Sequence, residues 1–206
     1  MRRRDFLRAA AAGAGSVALG FTLTRDAIGY PTRPGSGPYS RLQPPDRNGV
    51  WLPKGFTSRV VARTGRRVAG TSHVWHGAPD GGACFPDGSA WIYVSNAELG
   101  GGAGGASAVT FDSAARITGA YPILDGTNRN CAGGATPWGS WLSCEEVDRG
   151  FVYETDPRGG ARAARRPAMG RFQHEAAAAD PDRQVIYLTE DEPDGCFYRF
   201  QPDTWE

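Results

Sequence analysis

Charge of one sign, cysteine pairs, phosphate-loop chemistry and long apolar runs are all scarce in this sequence, and each shortage excludes something. Its 23 Lys and Arg stand against 22 Asp and Glu, a net charge of +1. No bulk field therefore draws nucleic acid or acidic partners. The four cysteines, at 84, 131, 144 and 196, form no C-x-x-C pair, which argues against a zinc ribbon. The Gly-rich run 100–105 has no Lys-Ser/Thr and no helix signal behind it, so it reads as a loop between strands and not a phosphate cradle. No nucleotide or flavin signature is present. The apolar run Ala9–Thr22 is too short for a confident membrane span.

What is abundant points one way. The 29 Gly, 15 Pro and 11% aromatic residues disfavour a helical bundle and suit short strands joined by tight turns. A chain of 206 residues is long enough for one domain with a real core.

The N-terminus reads as an export signal. Met1–Arg8 is a basic segment followed by the short apolar run. Arg3-Arg4-Asp5-Phe6-Leu7-Arg8 has the twin-arginine pattern, with an ordinary secretory signal as the plainer reading. The expected partner is the twin-arginine translocase, which moves folded, often cofactor-loaded proteins. The destination would be the periplasm, the medium or the cell surface. Ala18-Leu19-Gly20 is the best cleavage candidate, and a retained anchor stays open. The expected organisation is a signal over 1–22, a Pro/Gly/Arg/Ser-rich linker over 23–48 and a globular domain over 49–206, with a first strand at Ser58–Ala62.

Within the domain a motif recurs. Val94-Ser95-Asn96-Ala97-Glu98, Leu142-Ser143-Cys144-Glu145-Glu146 and Leu188-Thr189-Glu190-Asp191-Glu192 lie 48 and 46 residues apart. Each follows an apolar or aromatic strand and precedes a second one. Upstream, His76-Gly77-Ala78, Asn130-Cys131-Ala132 and His174-Glu175-Ala176 align loosely. Ala176–Ala179 has the composition of a helical turn that Asp180-Pro181 would end. A repeat of ~40–50 residues built from short strands is the pattern of propeller blades. The fold expected is all-β, a β-propeller with about three to three and a half blades present, where closed rings need about four to eight. The ring would be completed by sequence beyond residue 206.

The richest stretch is Asn130–Glu146, NCAGGATPWGSWLSCEE. It reads as a loop carrying Asn130 and Cys131, then a buried strand Trp138–Cys144 that ends in carboxylates. The repeat register brings Glu98, Glu146 and Glu192 to one point of successive blades, and Asn96, Cys144 and Glu190 to another. Carboxylates converging on a channel repel one another unless a cation neutralises them. Oxygen ligands suit calcium, and carboxylates with a thiolate suit a redox metal such as iron. Adjacent metal ions would favour phosphate-ester hydrolysis by neutralising developing charge. The bland readings are a solvated Glu at a strand end, and Cys84, Cys144 and Cys196 as small core residues or a disulfide pair. Cys131 stands apart because its setting is polar and Gly-rich.

Leu52-Pro53-Lys54-Gly55-Phe56, Asn130–Gly139, Trp141–Glu146, Gly170–Ala177 and Tyr187–Glu192 together resemble the PhoX-type alkaline phosphatase family, over its N-terminal portion and from about residue 49. The resemblance implies a propeller that hydrolyses small phosphomonoesters with ferric ions and calcium, a Cys thiolate being among the iron ligands. Cys131 matches that thiolate and Glu175 an acidic ligand. Glu145 or Glu146, then Glu190, Asp191, Glu192 and Asp194, match metal positions, and Glu98 joins them by the repeat. His174 is expected behind the ligands or against phosphate. Further ligands and a phosphate-binding Arg are expected beyond residue 206, and a chain ending there is expected to show little catalysis. The competing readings are a calcium-dependent propeller hydrolase of lactonase type, which does not need Cys131, and a non-catalytic, calcium-stabilised binding propeller.

Overall fold

The structure, a computed structural model, describes residues 39–205. The signal and most of the linker expectation lie outside them. The chain divides into two compact units at Arg59/Val60. In the first unit, residues 39–59 are organised by Asp46. Its carboxylate accepts the N–H groups of Asn48 and Val50 and the hydroxyl of Ser58. The Leu42–Pro53 bridge and an edge-on Tyr39–Phe56 contact close this segment. No strand forms over Ser58–Ala62, contrary to the sequence expectation.

The second unit is all-β. It contains three antiparallel sheets, and its helical content among the described residues is one short 3-10 turn, Pro167–Met169. The first sheet is β1 (Pro79–Asp87), β2 (Ala90–Ala97), β3 (Gly104–Phe111) and β4 (Ile117–Thr127). The second is β5 (Asn130–Ala135), β6 (Trp141–Glu145), β7 (Val152–Thr155) and β8 (Ala164–Arg165). The third is β9 (His174–Asp180), β10 (Val185–Glu190) and β11 (Phe197–Phe200). In every sheet spatial order follows chain order, as expected of strands joined by short turns. Among the described residues no sheet closes on itself.

The core lies between sheets. Phe85, Ile92, Val94, Ala106, Ala108, Ile123 and Leu124 of the first sheet pack against Trp141 of the second. Leu142, Cys144 and Val152 of the second pack with Met169 and with Ala177, Ile186 and Leu188 of the third. The segment leading into β1 supplies Val68 and Trp75 to the far face of the first sheet, against Val109 and Phe111. This explains why every residue of β6 is buried: both its faces meet a neighbouring layer, so alternation disappears. Burying each large aliphatic side chain contributes about 1.5–3 kcal/mol.

The first strands of the three sheets run side by side, β5 between β1 and β9. Their backbones approach so closely that side chains must be small. A Cβ on Gly81 would lie 2.7 Å from the Cα of Ala132, and one on Gly134 would lie 2.0 Å from the carbonyl oxygen of Ala177. Hence the Ala run 176–179 is strand and not helical turn. Pairing with β10 overrides the local propensity.

Two further expectations change. Cys131 is the second residue of a strand, not part of a loop. The buried strand starts at Trp141, while Trp138 sits on the preceding turn and donates to Glu154. The cysteines are unpaired: Cys144 is buried, and Cys84 and Cys196 are exposed.

Candidate metal centre

The pairing of first and second strands is irregular in all three sheets. The ladder slips between Pro79 and Gly82 in β1, between Asn130 and Gly133 in β5, and between Leu188 and Glu190 opposite β9. Such bulges re-aim side chains. The residues in them are Asp80, Cys131 and Glu175, the second residue of each first strand. The Cys131 thiol donates to Glu175 Oε1 at 3.5 Å and faces Asp80 Oδ2 at 3.7 Å.

A second set of acids follows the second strands. The N–H groups of Glu98, Glu146 and Asp191 donate to the carbonyls of Ala78, Arg129 and Gln173, the residues just before β1, β5 and β9. One backbone hydrogen bond thus repeats in the three sheets and presents one acid each time. Glu146 reaches the first set. One ligand atom each from Cys131, Glu146 and Glu175 lies within 4.8 Å of the others. Glu146 is also within hydrogen-bonding reach of Asp191, and feels the charges of Glu175 and Glu98. Glu98 lies 3.5 Å from the guanidinium of Arg129, which is 56% exposed.

The electrostatics are those of crowded acids. Burial, then Glu175, Asp80 and Glu146, push the Cys131 thiol far up. Burial raises Glu146, with Asp191, Glu175 and Glu98 adding to it and the hydrogen bond from Cys131 opposing it. A thiol and several carboxylates gathered this closely are a donor set suited to a cation, which displaces the thiol proton. The mixture of sulfur and oxygen fits a borderline metal with hard cations beside it better than a sulfur-only structural site.

The other candidates stand elsewhere. Glu145 is buried and its two carboxylate oxygens accept the N–H groups of Asn128 and Phe151, so it closes two turns. Glu190 accepts from Cys196 N and the Tyr198 hydroxyl. Glu192 and Asp194 are exposed in the turn before β11. His174 is fully buried and stacks on Phe172 at 3.7 Å, with Nε2 3.4 Å from the Gly170 carbonyl. It alternates with Glu175 along β9 and so faces away from the cluster. His76 is likewise apart, held between Ser107 and Ser95.

Asp80 was missed by sequence reasoning, which aligned His76-Gly77-Ala78 with Asn130-Cys131-Ala132. The available signal was the Gly81-Gly82 pair behind Asp80, echoing Gly133-Gly134 behind Cys131. Asp191, not Glu192, repeats the bond of Glu98 and Glu146 because the third sheet is shorter there. Leu188 and Asp191 are three apart, whereas Val94 and Glu98, or Leu142 and Glu146, are four apart.

Residues 93–205 match the family profile described as alkaline phosphatase PhoX. The chain belongs to the PhoX alkaline phosphatase family. The matched span contains Glu98, Cys131, Glu146, Glu175 and Asp191, while Asp80 precedes it. No curated protein and no solved structure matches the chain. Among the described residues no helix is long and apolar enough to cross a membrane.

Proposed function

We propose that the three sheets are successive blades of a β-propeller, and that the junction of their first strands is the metal centre of an exported phosphomonoesterase. The observation that carries this reading is the meeting of Cys131, Glu146 and Glu175 within 4.8 Å in a chain of the PhoX family. Face-to-face stacking of meander sheets, with first strands adjacent, supports the blade arrangement.

In this reading Cys131, Glu146 and Glu175 hold iron, and Asp80, Glu98 and Asp191 extend the oxygen-rich rim that suits calcium. Bound there, ferric and calcium ions supply Lewis acidity that neutralises charge developing on the phosphoryl oxygens. The chain's own part is preparatory. The bulged strands aim the donors, and the thiol of Cys131 gives up its proton as a cation enters. Arg129, half exposed beside Glu98, offers guanidinium N–H groups to an incoming phosphate. His174, neutral and packed behind Glu175, holds β9. The twin-arginine pattern at Arg3–Leu7 supports folded export, with iron already in place, to the periplasm, the medium or the cell surface.

The test is metal analysis and p-nitrophenyl phosphate hydrolysis on protein purified after export. Iron with calcium, a thiolate-to-iron charge-transfer band, and joint loss of iron and activity in Cys131→Ala are expected. Calcium without iron would favour the lactonase-type or binding-propeller reading. Full activity in Cys131→Ala would overturn the mechanism.

A further inference from the structure

Asn96 is the next-to-last residue of β2, an inner strand of the first sheet, and is fully buried. It uses all four of its hydrogen-bonding capacities across the junction with the second sheet. Its Nδ2 donates to the carbonyl oxygens of Cys131 at 3.2 Å and Ala132 at 2.8 Å. Its Oδ1 accepts from Trp141 Nε1 at 2.9 Å and Ser143 Oγ at 2.8 Å. The amide orientation is unambiguous, because an indole N–H only donates and carbonyls only accept. Ser143 in turn accepts from Asn130 Nδ2 at 2.9 Å, and Thr127 Oγ1 donates to Asn130 Oδ1 at 2.5 Å.

We infer that Asn96 is the positioning residue of Cys131. It clamps the two carbonyls of the bulge that aims the thiol. Bulged residues lack ladder partners, so the carbonyls of Cys131 and Ala132 need an outside donor, and a backbone left free there would let the thiol swing by more than a metal site tolerates. Repeat positions sharpen the point. Cys144 and Glu190 occupy the corresponding places in the next two sheets. Cys144 is buried in the apolar layer and Glu190 binds within its own sheet. The amide strut therefore stands at the junction whose first strand carries a thiol. Trp141 and Ser143 act one step further back, fixing the strut.

The metal part of this inference rests on the proposed centre, so the test reads two signals. In metal-free full-length protein, iodoacetamide labelling is followed at each cysteine by peptide mass spectrometry. Cys144, fully buried, reports unfolding. Asn96→Ala is expected to speed labelling of Cys131 by ~10-fold or more while Cys144 stays protected. Titration with Co²⁺ alone is expected to show ~10–100-fold weaker binding and a reduced thiolate-to-cobalt band. If Asn96→Ala does not fold, Ser143→Ala, which removes one donor to Asn96, is read the same way. Unchanged Cys131 labelling in the folded variant overturns the inference. Absence of a thiolate-to-cobalt band in the wild-type protein would instead overturn the metal reading, and the labelling rate alone would then decide the role of Asn96.

Discussion

The sulfur of Cys131 lies 3.5 Å from Oε1 of Glu175, though the residues are 44 positions apart and belong to different sheets. No ladder pairs β5 with β9. What holds the two side chains together is close backbone packing at Gly134 and Ala177 and a bulge in each strand pairing. The candidate centre is thus a property of the sheet junction, and its perturbation should separate folding from metal affinity.

Removing one acid from the cluster should act with opposite sign in the two states of the protein. Glu175→Gln relieves repulsion among the acids while its amide oxygen can still accept from the Cys131 thiol, so the metal-free form should melt higher than wild type. The same variant should lose most of the stabilisation that added Fe³⁺ or Co²⁺ gives, since a metal at concentration L stabilises by RT ln(1 + L/Kd), which vanishes once Kd exceeds L. Thermal melts with and without metal check both halves. A lower melting point in the metal-free variant would contradict the crowding argument.

Glu145 and Glu146 are neighbours in sequence with separable roles. Glu145→Ala removes the charged acceptor of the half-buried N–H groups of Asn128 and Phe151 and should cost about 1–3 kcal/mol in chemical denaturation. Glu146→Gln should leave metal-free stability nearly unchanged or slightly improved, and weaken metal binding by ~10-fold or more. Equal effects of the two on metal affinity would place both at the centre.

The inner strands tolerate no added volume. Gly134→Ala puts a methyl 2.0 Å from the Ala177 carbonyl oxygen, which forces β5 from β9 at a cost of about 1–3 kcal/mol. It should also impair metal binding, because Cys131 and Glu175 ride on these two strands. Gly88→Ala, where the methyl meets nothing within 4 Å but φ is +62°, should cost only its local strain and leave metal binding intact.

Stability should fall on acidification through the leading segment. Burial lowers His76 to about 4, and the adjacent His73 is also lowered by burial. Both hydrogen-bond to the one hydroxyl of Ser107. Unfolded histidine takes up its proton near pH 6.5. Between roughly pH 6.5 and 4 the unfolded chain therefore binds more protons than the native one, and stability drops as pH falls. Melting temperature measured from pH 7 to pH 4.5 should decline, and less steeply in His76→Gln. Parallel declines for the two proteins would assign the effect to other groups.

The all-β class, the recurring unit and the family were legible in the chain itself. Short alternating runs bounded by Gly and Pro are local facts, and so are the Cys131 and Glu175 motifs. Local residue types also marked Glu98 and Glu146. The roles within each pair of acids were not legible, because a strand sends successive side chains to opposite faces and the sequence does not say which face is which. One residue fewer in the third sheet moved the repeated acid from Glu192 to Asp191. An alanine run became strand β9 because its neighbours demanded small side chains in extended backbone. Asp80 came beside Cys131, and Asn96 onto the carbonyls of Cys131 and Ala132, through bulges and inter-sheet hydrogen bonds. Sequence determined what each strand could be, since propensity and pattern act over a few residues. Tertiary structure decided which side chains meet, since that depends on register slips and backbone contacts between strands distant in the chain.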